Sequence, residues 1–249
     1  MNFSVTTLES EPLVPKGYEI AHEQFRLPID PASRSFSVQG PALQCSENGN
    51  LLSVQSSRVA FVFDKSTGLV TSYKVKGTEY FHEGFGIQPN FWRAPNDNDY
   101  GSQMPKRLQI WKQSSKNFNV VDASLAMDGK DAVLKVSYLL AAGNLYIATY
   151  RIHPSGVVKA NYTFTSTEME AAKTEASEAT LMATFTPGNE AIRKESSKLV
   201  VPRIGVRFRL PAEMEQVTYF GRGPEENYCD RNNGTLVGEY QATAEQMYF

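Results

Sequence analysis

The chain has 249 residues, 41% hydrophobic and 21% charged, which is enough for one large β domain or two ordinary ones with a buried core. Its formal net charge of −2 gives no electrostatic footprint for nucleic acid or an anionic membrane surface. No apolar run approaches the roughly 18 residues of a membrane-spanning helix, and Met1-Asn2-Phe3-Ser4-Val5 opens without the basic and apolar regions of a signal peptide.

Asn2 to about Leu27 reads as one or two strands around the Pro-rich turn Glu11 to Gly17. Pro28 to about Asn50 suits a linker followed by an edge strand. From Leu51 a period of two emerges: Val59, Phe61 and Phe63 share a face, Lys65-Ser66-Thr67-Gly68 turns, and Leu69 to Tyr73 returns as the second arm of a hairpin. Phe85 to Trp92 then leads into Asn90-Phe91-Trp92-Arg93-Ala94-Pro95-Asn96-Asp97-Asn98-Asp99-Tyr100-Gly101. Alternating Asn and Asp after a proline satisfy backbone groups locally, so the expectation is an ordered loop at the end of a strand. Phe91 and Trp92 would anchor it in a core, and Arg93 would fork onto Asp97 or Asp99.

Proline near a first turn, with Leu108 and Trp111 three apart, predicts one short helix over Pro105 to Lys112. The clearest alternation follows: Ala132, Leu134, Val136, Tyr138, Leu140; then, past Gly143-Asn144, Tyr146, Ala148, Tyr150, Ile152; then, past Pro154-Ser155-Gly156, Val158, Ala160, Tyr162, Phe164. This is a three-stranded antiparallel meander with one buried face. Ser166 to Ala179 and Gly188 to Lys198 read as solvated loops flanking a short strand, Leu181 to Phe185. Gly205 to Leu210 reads as a strand, Val217 to Phe220 leads into a Gly-Pro segment, and Asn233-Gly234 is a hairpin turn. The fold class expected is therefore all-β with one short helix.

Two stretches carry candidate chemistry. Trp92, Arg93, Asn96, Asp97, Asn98, Asp99 and Tyr100 form either a structural polar corner or a sugar-facing rim, because planar amides and carboxylates beside an indole suit a polyol. In the second stretch Gly221, Gly223 and Pro224 would shape a tight turn, braced by Asn227 and Asp230, with Arg231 paired to Asp230 or Glu226. Glu225 and Glu226 are neighbours on an extended chain and point to opposite faces, so they cannot flank one bond. His22, His82 and His153 are far apart in sequence, which argues against a metal site, and no phosphate loop or nucleophile elbow is present. Cys45 and Cys229 lack metal-ligand spacing and are expected as free thiols.

Arg93 to Asp99 also resembles, position by position, the Arg-Ala-Pro-x-Asp-Asn-Asp signature in the C-terminal β-sandwich of the large β-galactosidases of glycoside hydrolase family two. Gly223-Pro224-Glu225-Glu226-Asn227-Tyr228-Cys229-Asp230-Arg231 resembles that family's Gly-Pro-x-Glu-Asn-Tyr-x-Asp-Arg segment, with Cys229 where proline is usual. Glu23 to Leu27 is similar to the segment leading into the same sandwich.

The resemblance implies a large antiparallel supersandwich of the galactose-mutarotase type over residues 31–249, truncated at its C-terminus, with residues 1–30 a linker and the remnant of a preceding Ig-like sandwich. It implies full-length relatives that release terminal non-reducing β-D-galactose, using two glutamates about 5 Å apart on a (β/α)₈ barrel. The strand and turn spacing here leaves no room for such a barrel, so no catalytic residue and no cofactor is assigned to this chain. The magnesium and sodium of full-length relatives belong to other domains. The implied partners are the barrel and other domains of the same polypeptide and a galactoside, with homo-oligomer formation left open, in a bacterial cytoplasm or periplasm. Tyr100 to Arg107 would be a flap over the sugar. A stand-alone galactoside-binding module is one alternative. An epimerase-like enzyme, needing a histidine and a carboxylate in one cleft, is another.

Overall fold

The computed structural model describes residues 1–29, 39–141, 143–165, 200–225, 227 and 232–247. The chain divides into two compact units, Met1–Ser37 with Ala212–Phe249 and Val38–Pro211. The first opens with β1 (Asn2–Thr6) and β2 (Glu19–Gln24), paired antiparallel with Asn2 opposite Gln24 and Val5 opposite Ala21. Of the two sequence options for this segment, two strands around the Pro-rich turn is the one found. Phe3 and Phe25 pack edge to face across the hairpin, ring centres 5.6 Å apart.

The second unit is a sandwich of two antiparallel meanders. One sheet runs in the order β3 (Gln44–Asn48), β4 (Leu51–Gln55), β5 (Val59–Asp64), β6 (Leu69–Val75) and β7 (Thr78–Glu79). The chain then passes through β8 (Gln88–Asn90) and three short helices, α1 (Asp97–Gly101), α2 (Met104–Arg107) and α3 (Gln109–Ser114). The other sheet is β9 (Phe118–Asp128), β10 (Asp131–Leu140), β11 (Leu145–Ile152) and β12 (Val158–Thr165). β13 (Gly205–Arg207) returns to pair with β8, Gly205 opposite Asn90.

Both sheets turn their apolar rows into one core. Leu52, Val54, Phe61, Phe63 and Val70 meet Leu134, Val136, Tyr138, Tyr146, Ala148 and Tyr150, none more than 2% exposed. Cross-strand pairs on the core face alternate between bulky and small, with Leu134 opposite Tyr150, Val136 opposite Ala148 and Tyr138 opposite Tyr146. Phe61 from one sheet reaches Tyr150 of the other at 5.9 Å between ring centres. The buried Tyr138 hydroxyl donates to the Gly68 carbonyl at 3.1 Å, which satisfies a polar group that would otherwise destabilise the core. Burial pushes the Tyr138, Tyr146 and Tyr150 hydroxyls well above the usual phenol range, so they stay protonated.

The first unit is completed by β14 (Gln216–Gly223) and β15 (Leu236–Thr243), antiparallel with Tyr219 opposite Tyr240. The Gln24 side chain joins the two hairpins of this unit. Its amide nitrogen donates to the Val237 carbonyl and its oxygen accepts from the Val237 amide, both at 2.8 Å.

Within the second unit the structure departs from the sequence expectation in four places. The single helix over Pro105 to Lys112 is two turns, α2 and α3, broken at Leu108 (φ −110°, ψ 16°). The expected loop Asn96 to Gly101 is the helical turn α1. The three-stranded meander has a fourth strand, β9, in which Val121 is an extra residue opposite the Ser137–Tyr138 step. That bulge shifts the apolar face from Phe118 and Val120 to Ala123 and Leu125, which erases the period-two signal. The strand expected over Gly205 to Leu210 stops at Arg207. The expected loops Ser166 to Ala179 and Gly188 to Lys198, and the strand Leu181 to Phe185, lie outside the described residues.

Gly68 tests how tightly the sheets are coupled. Its φ is +70°, and a Cβ there would lie 3.0 Å from the Phe118 ring and 3.2 Å from Tyr138 and Val120. Gly129 has a similar φ of +62° with open space around it. Gly129→Ala should lower unfolding free energy by about 1 kcal/mol through left-handed strain alone. Gly68→Ala should lose a further ~1–3 kcal/mol from overpacking. Urea unfolding of the two variants checks the difference, and equal losses would show that the close approach does not matter.

Candidate functional site

The site begins where the core ends. Phe91 is fully buried, its ring 5.3 Å from Tyr146, 5.9 Å from Trp111 and 5.8 Å from Phe164. Its backbone N–H donates to Ser115 Oγ at 2.7 Å, and that hydroxyl donates in turn to the Trp111 carbonyl at 2.9 Å. The next residue, Trp92, is half-buried, and the Asn90 side chain donates to its carbonyl at 3.0 Å. The chain therefore leaves the core at a fixed point.

Pro95 disfavours helical backbone before it, and Asn96 then caps α1. Asn96 Oδ1 accepts from the Asp99 N–H, and an Asp99 carboxylate oxygen accepts from the Asn96 N–H, both at 3.0 Å. This reciprocal box uses aspartate at the third helical position, where an acid also complements the helix dipole. Arg93 closes the corner with a two-pronged bond to Asp99, Nη2 to Oδ1 at 2.8 Å and Nη1 to Oδ2. Of the two partners the sequence left open for Arg93, Asp99 is the one used. The Arg93 hydrogen bonds hold the Asp99 carboxyl below the usual carboxylate range, against burial, which raises it, and with help from the Asn96 amide.

The motif thus splits in two. Arg93, Asn96 and Asp99 bond to one another. Asp97, Asn98 and Tyr100 are exposed, and among the described residues their side chains make no hydrogen bond or ion pair. Tyr100 is 64% exposed. Beside the corner lies a cleft of about 290 Å³ whose lining includes Asn90, Trp92, Arg93, Lys112, Lys116 and Arg207. Lys112, Lys116 and Arg207 were not singled out in the sequence. Arg207 reaches the cleft only through the β8–β13 pairing, which joins strands far apart in the chain.

In the first unit, Gly221 and Gly223 lie within β14, which runs up to Gly223, rather than in a tight turn. A Cβ on Gly223 would meet the Tyr219 hydroxyl and the edge of the Tyr240 ring, so a larger residue there would have to displace those side chains. Arg222 donates to the carbonyls of Asn232 and Thr235 at 2.7 and 2.9 Å, holding the far end of the hairpin connection. Asn227 lines a cleft of about 590 Å³ with Tyr219, Arg222, Glu225 and Tyr240. Glu226, Tyr228, Asp230 and Arg231, and with them the expected Arg231 pairing, lie outside the described residues, as does Cys229. Cys45 is a free, half-buried thiol whose pKa burial raises. Among the described residues no group of three or more His, Cys, Asp or Glu side chains is placed to hold a metal ion.

Residues 55–249 match the family described as beta galactosidase small chain. The chain belongs to that family. Longer relatives extend the likeness to the N-terminal hairpin. A beta-galactosidase of Priestia megaterium is 30% identical over 233 residues, covering 93% of this chain and 20% of the relative. One from Lactococcus lactis is 28% identical over 252 residues, covering 99% of this chain and 23% of the relative. One from the yeast Kluyveromyces lactis is 26% identical over 231 residues, again 20% of the relative. The chain spans about a fifth of the length of these relatives.

The two halves of the small-chain corner should respond differently to truncation. Asn96→Ala should destabilise the protein by about 1 kcal/mol through loss of the cap, while Asp97→Ala should change stability by no more than about 0.5 kcal/mol. Thermal or urea unfolding separates them. Because the folded pKa of Asp99 is depressed, its contribution is fully present above the unfolded carboxyl value of about 3.9 and is lost as pH falls through the lower folded value. Asp99→Asn should flatten that acid limb of the stability–pH curve.

Proposed function

We propose that this chain is the C-terminal sandwich region of a β-galactosidase, with residues 1–30 derived from a preceding sandwich domain. In this reading it supports the active site formed by the rest of the polypeptide, and Asp97, Asn98 and Tyr100, with Trp92 behind them, rim the galactoside. The observation that carries the reading is the split motif. One half of the signature braces the corner internally, and the other half presents a carboxylate, an amide and a phenol outward, with no hydrogen-bond partner for them among the described residues. A neutral sugar ring and a neighbouring domain both call for such groups. The flap role of Tyr100 to Arg107 rests on family likeness, and the short turns α1, capped by Asn96, and α2 would carry it. The hydrolytic glutamates belong, in this reading, to the barrel and not to Glu225 or Glu226.

A second reading, a galactoside-binding module active by itself, is favoured by the cleft on β14 and β15. There Tyr219 and Tyr240 sit 5.5 Å apart, with Arg222, Glu225 and Asn227 around them, the mix of ring faces and polar groups that saccharides use.

Two measurements separate the readings. In the longer polypeptide that joins this chain to its barrel, Asp97→Ala and Tyr100→Ala should each lower kcat/KM for a nitrophenyl β-galactoside roughly tenfold, a loss of about 1.4 kcal/mol of transition-state binding, without moving the unfolding midpoint. Unchanged kinetics would reject the rim. Isothermal titration of the 249-residue chain with galactose and lactose tests the module. Saturable binding removed by Tyr240→Ala would favour it, and a flat trace to tens of millimolar, weaker than roughly −3 kcal/mol, would reject it.

A further inference from the structure

The cleft beside the polar corner has an unbalanced charge that its structural role does not explain. Among the described residues four cationic side chains line it, Arg93, Lys112, Lys116 and Arg207, and no carboxylate does. Arg93 is neutralised by Asp99. Among the described residues the other three have no acidic partner. Lys112 stands in the last turn of α3, where a cation complements the helix dipole, and Lys116 follows just beyond the Ser115 cap, which accounts for their placement. It does not account for Arg207. This residue is held in place by donating from Nη2 to the Gln88 side chain at 3.1 Å and to the Ser115 carbonyl at 3.0 Å, and its guanidinium rests over Phe85 at 5.7 Å. Its Nε is shielded from solvent and, among the described residues, has no hydrogen-bond partner. A buried donor left unsatisfied is destabilising by roughly 1–3 kcal/mol, more on a charged group. Burial and the nearby Arg209 both oppose the charge. Lys112 meanwhile sits 5.8 Å from the Trp92 ring centre, so its ammonium is held at the cleft mouth beside an aromatic face.

Three positive charges with no counter-charge among the described residues, around a space of about 290 Å³, call for an acceptor-only group of negative charge. We propose that this cleft is an oxyanion site, taking one sulfate, phosphate or carboxylate group, either free or as the acidic substituent of a saccharide. Lys112, Lys116 and Arg207 bind the anion by charge-assisted hydrogen bonds, and Trp92 offers its ring face to whatever carries it. The site does not depend on the galactosidase reading, because it is defined by the anion alone.

The test uses the 249-residue chain and sodium sulfate as probe, against sodium chloride at equal ionic strength, read by titration calorimetry and by the fluorescence of its two tryptophans. Sulfate should saturate where chloride does not. Lys112→Gln with Lys116→Gln, both exposed positions that leave the core untouched, should weaken sulfate at least tenfold, and Arg207→Gln should do the same. Galactose 6-sulfate compared with sulfate and with galactose then names the source. Tighter binding of the sulfated sugar than of either component assigns an acidic saccharide, and binding equal to sulfate assigns a free oxyanion. The proposal is overturned if chloride reproduces the sulfate response, or if the double lysine variant binds sulfate as the parent chain does while its circular dichroism is unchanged.

Discussion

The geometry of the corner depends on Phe91. A ring of this size, fully buried, contributes about 1.5–3 kcal/mol of transfer free energy, and its contacts come from both the second sheet and α3, through Tyr146, Phe164 and Trp111. Its backbone N–H is tied to Ser115 Oγ, which is tied to the same helix. Side-chain packing and backbone hydrogen bonding therefore fix one point of the chain from two directions. Two residues later Arg93 emerges where its fork meets Asp99. A displacement of the ring would carry the whole polar corner with it.

Burial of Asp99 is tolerable because its two oxygens are met by two guanidinium nitrogens and a backbone amide. The same accounting makes the neighbouring cleft conspicuous, since Arg207 is also partly buried and yet, among the described residues, keeps an unmatched donor. One arginine is completed by its own chain, and the other is left with unused capacity. In the core, the tyrosines of β10 and β11 follow the first pattern where Tyr138 reaches the Gly68 carbonyl, so that a polar atom helps to register the β5–β6 turn against the opposite sheet.

Much of the fold was legible in the sequence because apolar residues keep strict alternation wherever a strand is regular. β5, β10 and β11 each bury every second residue, as their patterns predict. Legibility failed where local geometry broke the period. The Val121 bulge hid β9, and Leu108 split one expected helix into two short turns. The first turn α1 was concealed for a different reason. Asn and Asp serve equally as turn residues and as helix caps, and only the reciprocal bonds between Asn96 and Asp99 distinguish the uses. The corner residues were visible as a motif, but which of them face inward was not. The cationic cleft was invisible because Arg207 joins Lys112 and Lys116 through a strand pairing that spans more than half of the chain's second unit.

The Gln24 amide, paired with both backbone groups of Val237, ties the first hairpin to the last strand of the same unit. Everything from Val38 to Pro211 lies between the two segments of that unit. During synthesis, at roughly 5–20 residues per second, β2 must then wait on the order of ten to forty seconds for β15 to exist. If the intervening chain were still unfolded, closing so long a loop would cost on the order of 4–5 kcal/mol in chain entropy. Assembly of the sandwich is thus the natural first event, and the discontinuous unit closes last.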